Sequence, residues 1–345
     1  MINQVSDFCG ENGLTINYKK TKCMIFNKSG HLLRDIFDLN GNVLENVREY
    51  KYLGFLITPS GAISTGLKDL RDRAFKAFKT LKYKMGEFFR RDVKTALGLY
   101  DSMIKPILTY SSDFWGCLQL PKTNNPIETL TVKIYKEILG VKKQTVNMGV
   151  LLEIGRTTLD YDCIKLGVKN WERIRKKNAN KILMESYTEA VEEQLPWIMG
   201  IKGHLERNGL LSLFIKDFPN EPNFVHKKLH SSLVDQFFQN TFAAIGDQGS
   251  KLRTYALFKK ERGLEDYLFK IQNIDVRTKI AKFRISDHTL RIETGRKEHI
   301  PRERRFCNFF HQKPETEIHF LMECPVYQHL CQSTFCHIKK RKTGF

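Results

Sequence analysis

Acidic side chains are in short supply. The 345-residue chain holds 38 Asp and Glu against 57 Lys and Arg, a formal charge of +19. Such a surface repels cationic partners and favours polyanions, with RNA and DNA first and acidic membrane surfaces second. Long apolar runs are missing, since no stretch approaches the roughly 20 residues a bilayer-spanning helix needs. The polar opening residues Asn3, Gln4, Ser6 and Asp7 lack the basic start and apolar middle of a secretory leader. Eight cysteines in 345 residues are too few for a disulfide scaffold. Nowhere does Asp follow Asp, and His-Glu-x-x-His, Gly-x-Gly-x-x-Gly and Gly-x-Ser-x-Gly are all absent. Two-metal, zinc-protease, dinucleotide and nucleophile-elbow chemistries therefore lack their usual residues. No internal repeat or low-complexity tract interrupts the chain. The expectation is an intracellular protein, cytoplasmic or nuclear, with no membrane partner and no small-molecule substrate.

What is present begins with a small β region. Ile2, Val5, Phe8 and Cys9 have helical spacing, and Gly13 follows where a left-handed C-cap belongs. Leu14–Ile16 and Cys23–Phe26 read as strands around a basic turn containing Lys19, Lys20 and Lys22. Asn40-Gly41 predicts a hairpin between Phe37/Leu39 and Val43/Leu44. The run from Tyr50 to Ile57 reads as one strand ended by Pro59-Ser60-Gly61. From Leu67 the period becomes helical, with Leu67, Leu70, Ala74, Phe78, Leu81, Met85 and Phe88 on one face. Between Lys68 and Arg91 the other faces carry nine Lys/Arg and three acids. A solvated face mixes signs more evenly, so this stripe reads as a phosphate contact.

A second helix is expected from Val93 to Ile104, broken by Pro106, and an aromatic segment from Tyr110 to Trp115 follows. Further helices are expected over Ile127–Leu139 and Cys163–Met184, the latter with Arg173, Arg175, Lys176 and Lys177. Breaks at 217–224 and 246–250 offer a boundary. The resulting fold class is α+β and predominantly α-helical, in four regions: 1–65, 66–150, 151–245 and 246–345.

Few constellations carry chemistry. Gly61 to Lys68 imitates a phosphate-binding loop, but Leu67 separates Gly66 from Lys68 and no Ser or Thr follows. Asp160/Asp162 and Glu192/Glu193 are pairs without a third carboxylate nearby, as caps or solvated faces are. The segment from Cys307 to Cys324 is more specific. Cys307, His319 and Cys324 are three ligands of zinc type, with His and Cys five apart. Phe310 occupies the place for a second ligand; His311 reaches it only if the turn loosens, and Cys331 and Cys336 are further candidates. A zinc knuckle and a small apolar core with cysteine as a hydrophobe both fit this pattern.

Several segments together resemble non-LTR (LINE-type) retrotransposon reverse transcriptases. Phe8-Cys9, Asn12-Gly13-Leu14, Ile16-Asn17 and Lys20-Thr21-Lys22 are similar to the stretch after that family's catalytic Asp-Asp, including motif D. Tyr52-Leu53-Gly54 is similar to motif E, the primer grip. Arg71, Lys76, Ala77, Leu99-Tyr100, Pro106-Ile107-Leu108 and Tyr110 to Gly116 resemble the thumb. Ile138–Val141 and Gly155-Arg156 fit the helical region behind it. Lys251–Tyr255, Phe283–His288, Ile292–Arg296, Cys307 and Glu317–Tyr327 resemble the C-terminal segment with its knuckle.

The resemblance implies a palm remnant with a small antiparallel β region over 1–65, a helical thumb over 66–150, a helical connecting region, and a C-terminal region with a degenerate knuckle. It implies RNA and DNA as partners, gripped through the template–primer backbone. The residues implicated are Lys20, Lys22, Tyr52, Leu53, Gly54, Lys68, Arg71, Arg73, Lys76, Lys79, Lys82, Arg90 and Arg91. Zinc is the implied cofactor, on Cys307, His311, His319 and Cys324. The family's two-metal carboxylates are expected upstream of Met1, so this chain alone is expected to bind no Mg²⁺ and to be inactive as an RNA-directed DNA polymerase. The rival expectation is a stand-alone, non-enzymatic zinc and nucleic-acid-binding interaction protein. The basic tail Lys339–Lys342 reads as an added nucleic-acid contact or a nuclear-import signal.

Overall fold

The computed structural model describes residues 2–32, 35–118, 125–175, 180–215, 223–247 and 250–330. Helix α1 (Ile2–Glu11) leads into strands β1 (Lys22–Cys23), β2 (Phe37–Leu39), β3 (Asn42–Asn46), β4 (Tyr50–Tyr52) and β5 (Phe55–Ile57). Helices α2 (Ser64–Met85), α3 (Phe88–Arg91) and α4 (Val93–Leu99) follow, and helix prevails from there onward. The class is α+β with helix predominant, as the sequence predicts. Two units interleave along the chain: residues 1–83, 99–130 and 162–229 form one, and 84–98, 131–161 and 230–345 the other. The expected region 66–150 contributes to both. No helix among the described residues is long and apolar enough to cross a membrane.

In the first unit, α1 closes on Gly13 at φ 66°, with Leu14 N–H donating to Cys9 O at 2.8 Å. This is the Schellman arrangement that glycine permits. Asn40 and Gly41 both have positive φ, 53° and 76°, which gives a two-residue turn matched to the twist of β2 and β3. On its other side β3 pairs with β1 in parallel, Lys22 opposite Glu45, so the three-stranded sheet runs β1-β3-β2 and is mixed. Leu14–Ile16 lies in no strand, and of Cys23–Phe26 only Cys23 does. Val47 N–H donates to Cys23 O at 2.9 Å as a further rung of that parallel pairing.

The run Tyr50–Ile57 is a hairpin rather than one strand. Leu53 and Gly54 turn it at φ 44° and 86°. A leucine in the left-handed region is strained, and the turn persists because its carbonyls are held from outside. The Tyr110 hydroxyl donates to Leu53 O, and Arg73 Nη2 donates to Gly54 O at 2.9 Å. A Cβ on Gly54 would meet the Tyr110 hydroxyl at 3.1 Å.

Helix α2 buries Leu67, Leu70, Ala74, Phe78 and Leu81 along one face, as its period predicts. Pro106 does not end the following helix. A π-type turn at Tyr100–Ile104 joins α4 to a helical turn at Lys105–Leu108, with Pro106 at that turn's second residue. The helix expected over Cys163–Met184 is two, Leu159–Ile174 and Lys181–Glu192. The second starts where Asn180 accepts the Ile182 N–H at 3.0 Å. Lys176 and Lys177 lie outside the described residues, as do 216–222 and 248–249 in the expected breaks.

In the second unit, Gly86 at φ 52° ends α2 and resets the helical phase. Phe88 is consequently 61% exposed, while Phe89 is buried at 1%. The apolar stripe thus stops short of Phe88. Two buried carboxylates hold this unit's helices together. Glu153 accepts from the Tyr255 hydroxyl at 2.7 Å, the Tyr267 hydroxyl and Arg284 Nε at 2.8 Å. Burial pushes the Glu153 carboxyl up, opposed by the Arg284 charge. Arg284 continues to Glu265 at 2.6 Å, which also pairs with Lys259 at 2.6 Å.

Glu317 is the second hub. It accepts from Arg253 at 3.0 and 3.1 Å, Thr254 Oγ1 at 2.7 Å and His288 Nε2 at 3.0 Å. Burial alone would raise its pKa; the His288 hydrogen bond, the Arg253 charge and the Thr254 hydroxyl outweigh it and bring it to about 2.

Candidate nucleic-acid interface and metal centre

At 100° per residue, Lys68, Arg71, Lys76, Lys79 and Lys82 fall within an arc of roughly 140° on α2, facing away from its buried residues. Lys68, Lys76, Lys79 and Lys82 are exposed and Arg71 is half-buried. Asp72, beside Arg71 at 3.2 Å, is the one acid inside the arc. From Lys68 to Lys82 the row is about 21 Å long at 1.5 Å per residue. These five form one sign-biased face, with Arg73 and Lys84 of the same helix outside it.

Several of the expected cations besides Arg71 are already engaged. Arg73 sits between Asp69, 3.0 Å from its Nε, and Gly54 O, with its guanidinium 5.9 Å from the Tyr110 ring centre. Asp69 also pairs with Lys51 at 3.4 Å. Arg73 and Asp69 thus dock the β4–β5 hairpin on α2. The hairpin leaves Tyr52 59% and Leu53 74% exposed. Lys22 pairs with Glu45 across β1 and β3, whereas Lys20 is exposed in the turn before β1. In the second unit, Arg90 donates to Thr278 Oγ1 at 2.9 Å and is half-buried, and Arg91 is exposed.

The Cys/His segment folds locally. Cys307 N–H donates to Lys313 O at 3.0 Å, closing the loop after Cys307. Thr316 Oγ1 accepts the His319 N–H at 3.0 Å, and a π-type turn over His319–Glu323 delivers Cys324, whose N–H reaches His319 O at 2.8 Å. Ligand atoms of Cys307, His319 and Cys324 lie within 4.8 Å of one another, and all three residues are buried. The two Sγ atoms are 4.0 Å apart. That is far beyond a disulfide and close to the about 3.8 Å separating two thiolates on a tetrahedral ion with 2.3 Å bonds. Both ring nitrogens of His319 are buried without a hydrogen-bond partner. Such unmet polar atoms are costly unless something is bound to them, and they suit a metal. Burial raises the Cys307 thiol, opposed by the Phe309 and Phe310 N–H groups aimed at its sulfur.

His311 does not join this group. It is exposed, while the Phe310 ring stacks on His319 at 6.2 Å between centres and 13° between planes. Phenylalanine therefore covers the imidazole where the pattern wanted a ligand. Cys331, Cys336 and the basic tail 339–342 lie outside the described residues. Sequence reasoning missed Glu317 as a hub, although Arg253, Thr254, Ser286, His288 and Glu317 all fall in the segments that carry the C-terminal resemblance. Those short matches converge on one carboxylate.

No family model matches the chain, and no solved structure matches it. The sequence is 31% identical over 117 residues to a transposon-derived protein of Caenorhabditis elegans. That match takes in 33% of this chain and 41% of the relative, so it spans well under half of each. The chain is thus similar to a protein of transposon origin.

Proposed function

We propose that this chain is a reverse-transcriptase-related, nucleic-acid-binding protein of LINE-type ancestry, gripping RNA or DNA through the thumb-like helix α2 and the adjoining hairpin. The observation that carries it is the exposed face of Lys68, Arg71, Lys76, Lys79 and Lys82, which offers net positive charge over the length of several phosphates. Contacts of this kind position a strand without reading its sequence. Tyr52 and Leu53 at the hairpin tip add an aromatic and an apolar surface beside that face. The transposon-derived relative supports the ancestry.

Zinc on Cys307, His319 and Cys324 is part of the same proposal. Two thiols and an unpartnered imidazole form a soft donor set that suits zinc and not Mg²⁺. When bound, the ion cross-links the loop after Cys307 to the turn at His319–Cys324 and adds folding energy to a segment with little core of its own. In this reading the chain contributes grip, and polymerisation requires carboxylates it does not carry as an Asp-Asp pair.

The test is titration of a fluorescent RNA–DNA primer–template at 50 and 200 mM salt. Affinity should fall steeply with salt and depend little on sequence. Binding that is absent at low salt, or indifferent to salt, would overturn the proposal.

A further inference from the structure

We infer a binding site for one unpaired nucleotide in the second unit, in the cavity between α3, the start of α4 and the turn Tyr267–Lys270. It deepens the nucleic-acid reading above and rests on it. The cavity is about 450 Å³, within the range of ligand sites, and is lined by Phe88, Arg91, Lys94, Leu268, Phe269 and Gln272 among others.

Its composition is what a single strand recognises. Phe88 stands 61% exposed on a helix of four residues and offers its ring to the cavity's lining. Arg91 lies 5.8 Å from the centre of the Phe88 ring, and the Lys94 ammonium lies 3.7 Å from the centre of Phe269. Both cations are exposed. The one acid in the lining, Asp92, is already taken: it accepts the Thr95 N–H at 3.0 Å and the Thr95 hydroxyl at 2.7 Å. Aromatic rings beside exposed positive charges bind bases by stacking and their phosphates by attraction, whatever the base. A base paired in a duplex has no free face to offer.

The site is also braced. Arg277, 4% exposed, donates to the carbonyls of both Arg90 and Arg91, and Arg90 reaches back to Thr278 Oγ1. The backbone carrying Phe88 and Arg91 is therefore fixed from behind by the helix Ile274–Arg284, so little ordering is left to be done on binding.

The experiment compares the full chain with Phe88→Ala and Phe88→Leu, using a fluorescent 12-mer of deoxythymidine and a blunt duplex at one salt concentration. Phe88→Leu keeps an apolar side chain and guards against a folding artefact. Both variants should bind the single strand about tenfold more weakly, since a stacked base is worth about 1–3 kcal/mol. Duplex affinity should stay at the wild-type level. Unchanged single-strand affinity, or an equal loss for both nucleic acids, would overturn this inference and leave the α2 reading standing. A wild-type chain that binds neither probe would overturn both.

Discussion

Glu317 offers the sharpest test of how the C-terminal segment is held. Its carboxylate is wholly buried and accepts from Arg253 twice, from Thr254 and from His288. Glu317→Gln keeps the volume but removes the charge, leaving the Arg253 guanidinium, itself 10% exposed, without its main counter-ion. Breaking one partner of a buried pair costs about 3–5 kcal/mol. Glu293, 3.4 Å from Arg253, remains as a weaker partner, which places the loss near the lower end, about 3 kcal/mol. If the unit unfolds cooperatively, its midpoint should drop by about 6–12 °C. Thermal unfolding followed by circular dichroism, with chelator present in every sample so that metal plays no part, measures this. Glu298→Gln is the control: its pair with Arg291 at 2.9 Å is half-exposed, so less than about 1 kcal/mol should be lost. A Glu317 variant as stable as the Glu298 one would refute the hub.

Two further predictions concern the metal and acid stability. Zinc measured by elemental analysis should approach one ion per chain, and Cys307→Ser or Cys324→Ser should each abolish it; a stoichiometric ion retained in both variants would exclude these thiols as ligands. His204 is held down to about 4 by burial and by Arg207. A base whose folded pKa is depressed stabilises the protein above its unfolded pKa of about 6.5 and loses that contribution as pH falls toward 4. His204→Gln should flatten the decline of the unfolding midpoint across that window; an identical pH profile in the variant would show that His204 plays no part.

Local rules made much of the fold legible. Gly13 and Asn40-Gly41 announce their turns because those conformations need such residues, and the α2 face follows from a clean helical period. The misreadings lie where tertiary contacts override a local preference. Leu53 turns left-handed because Tyr110 and Arg73, far along the chain, hold its hairpin. Pro106 is tolerated because a π-type turn precedes it. Gly86 changes phase, so Phe88 and Phe89 exchange the roles that periodicity assigns. Three metal-type ligands were visible because their spacing is local, whereas the orientation of His311 and the stacking of Phe310 on His319 were not. The hubs at Glu153 and Glu317 join residues as much as 131 positions apart, and no period marks them.

The most direct measurement is the salt dependence of binding for the wild type against Lys68→Gln/Lys76→Gln/Lys79→Gln. Each phosphate contact contributes about 0.9 to the slope of log affinity on log salt for duplex. Three neutralised contacts should therefore flatten the slope by about 2.7. That is about 40-fold less affinity lost between 50 and 200 mM salt. A slope that stays the same would mean that the cationic face of α2 does not touch the strand.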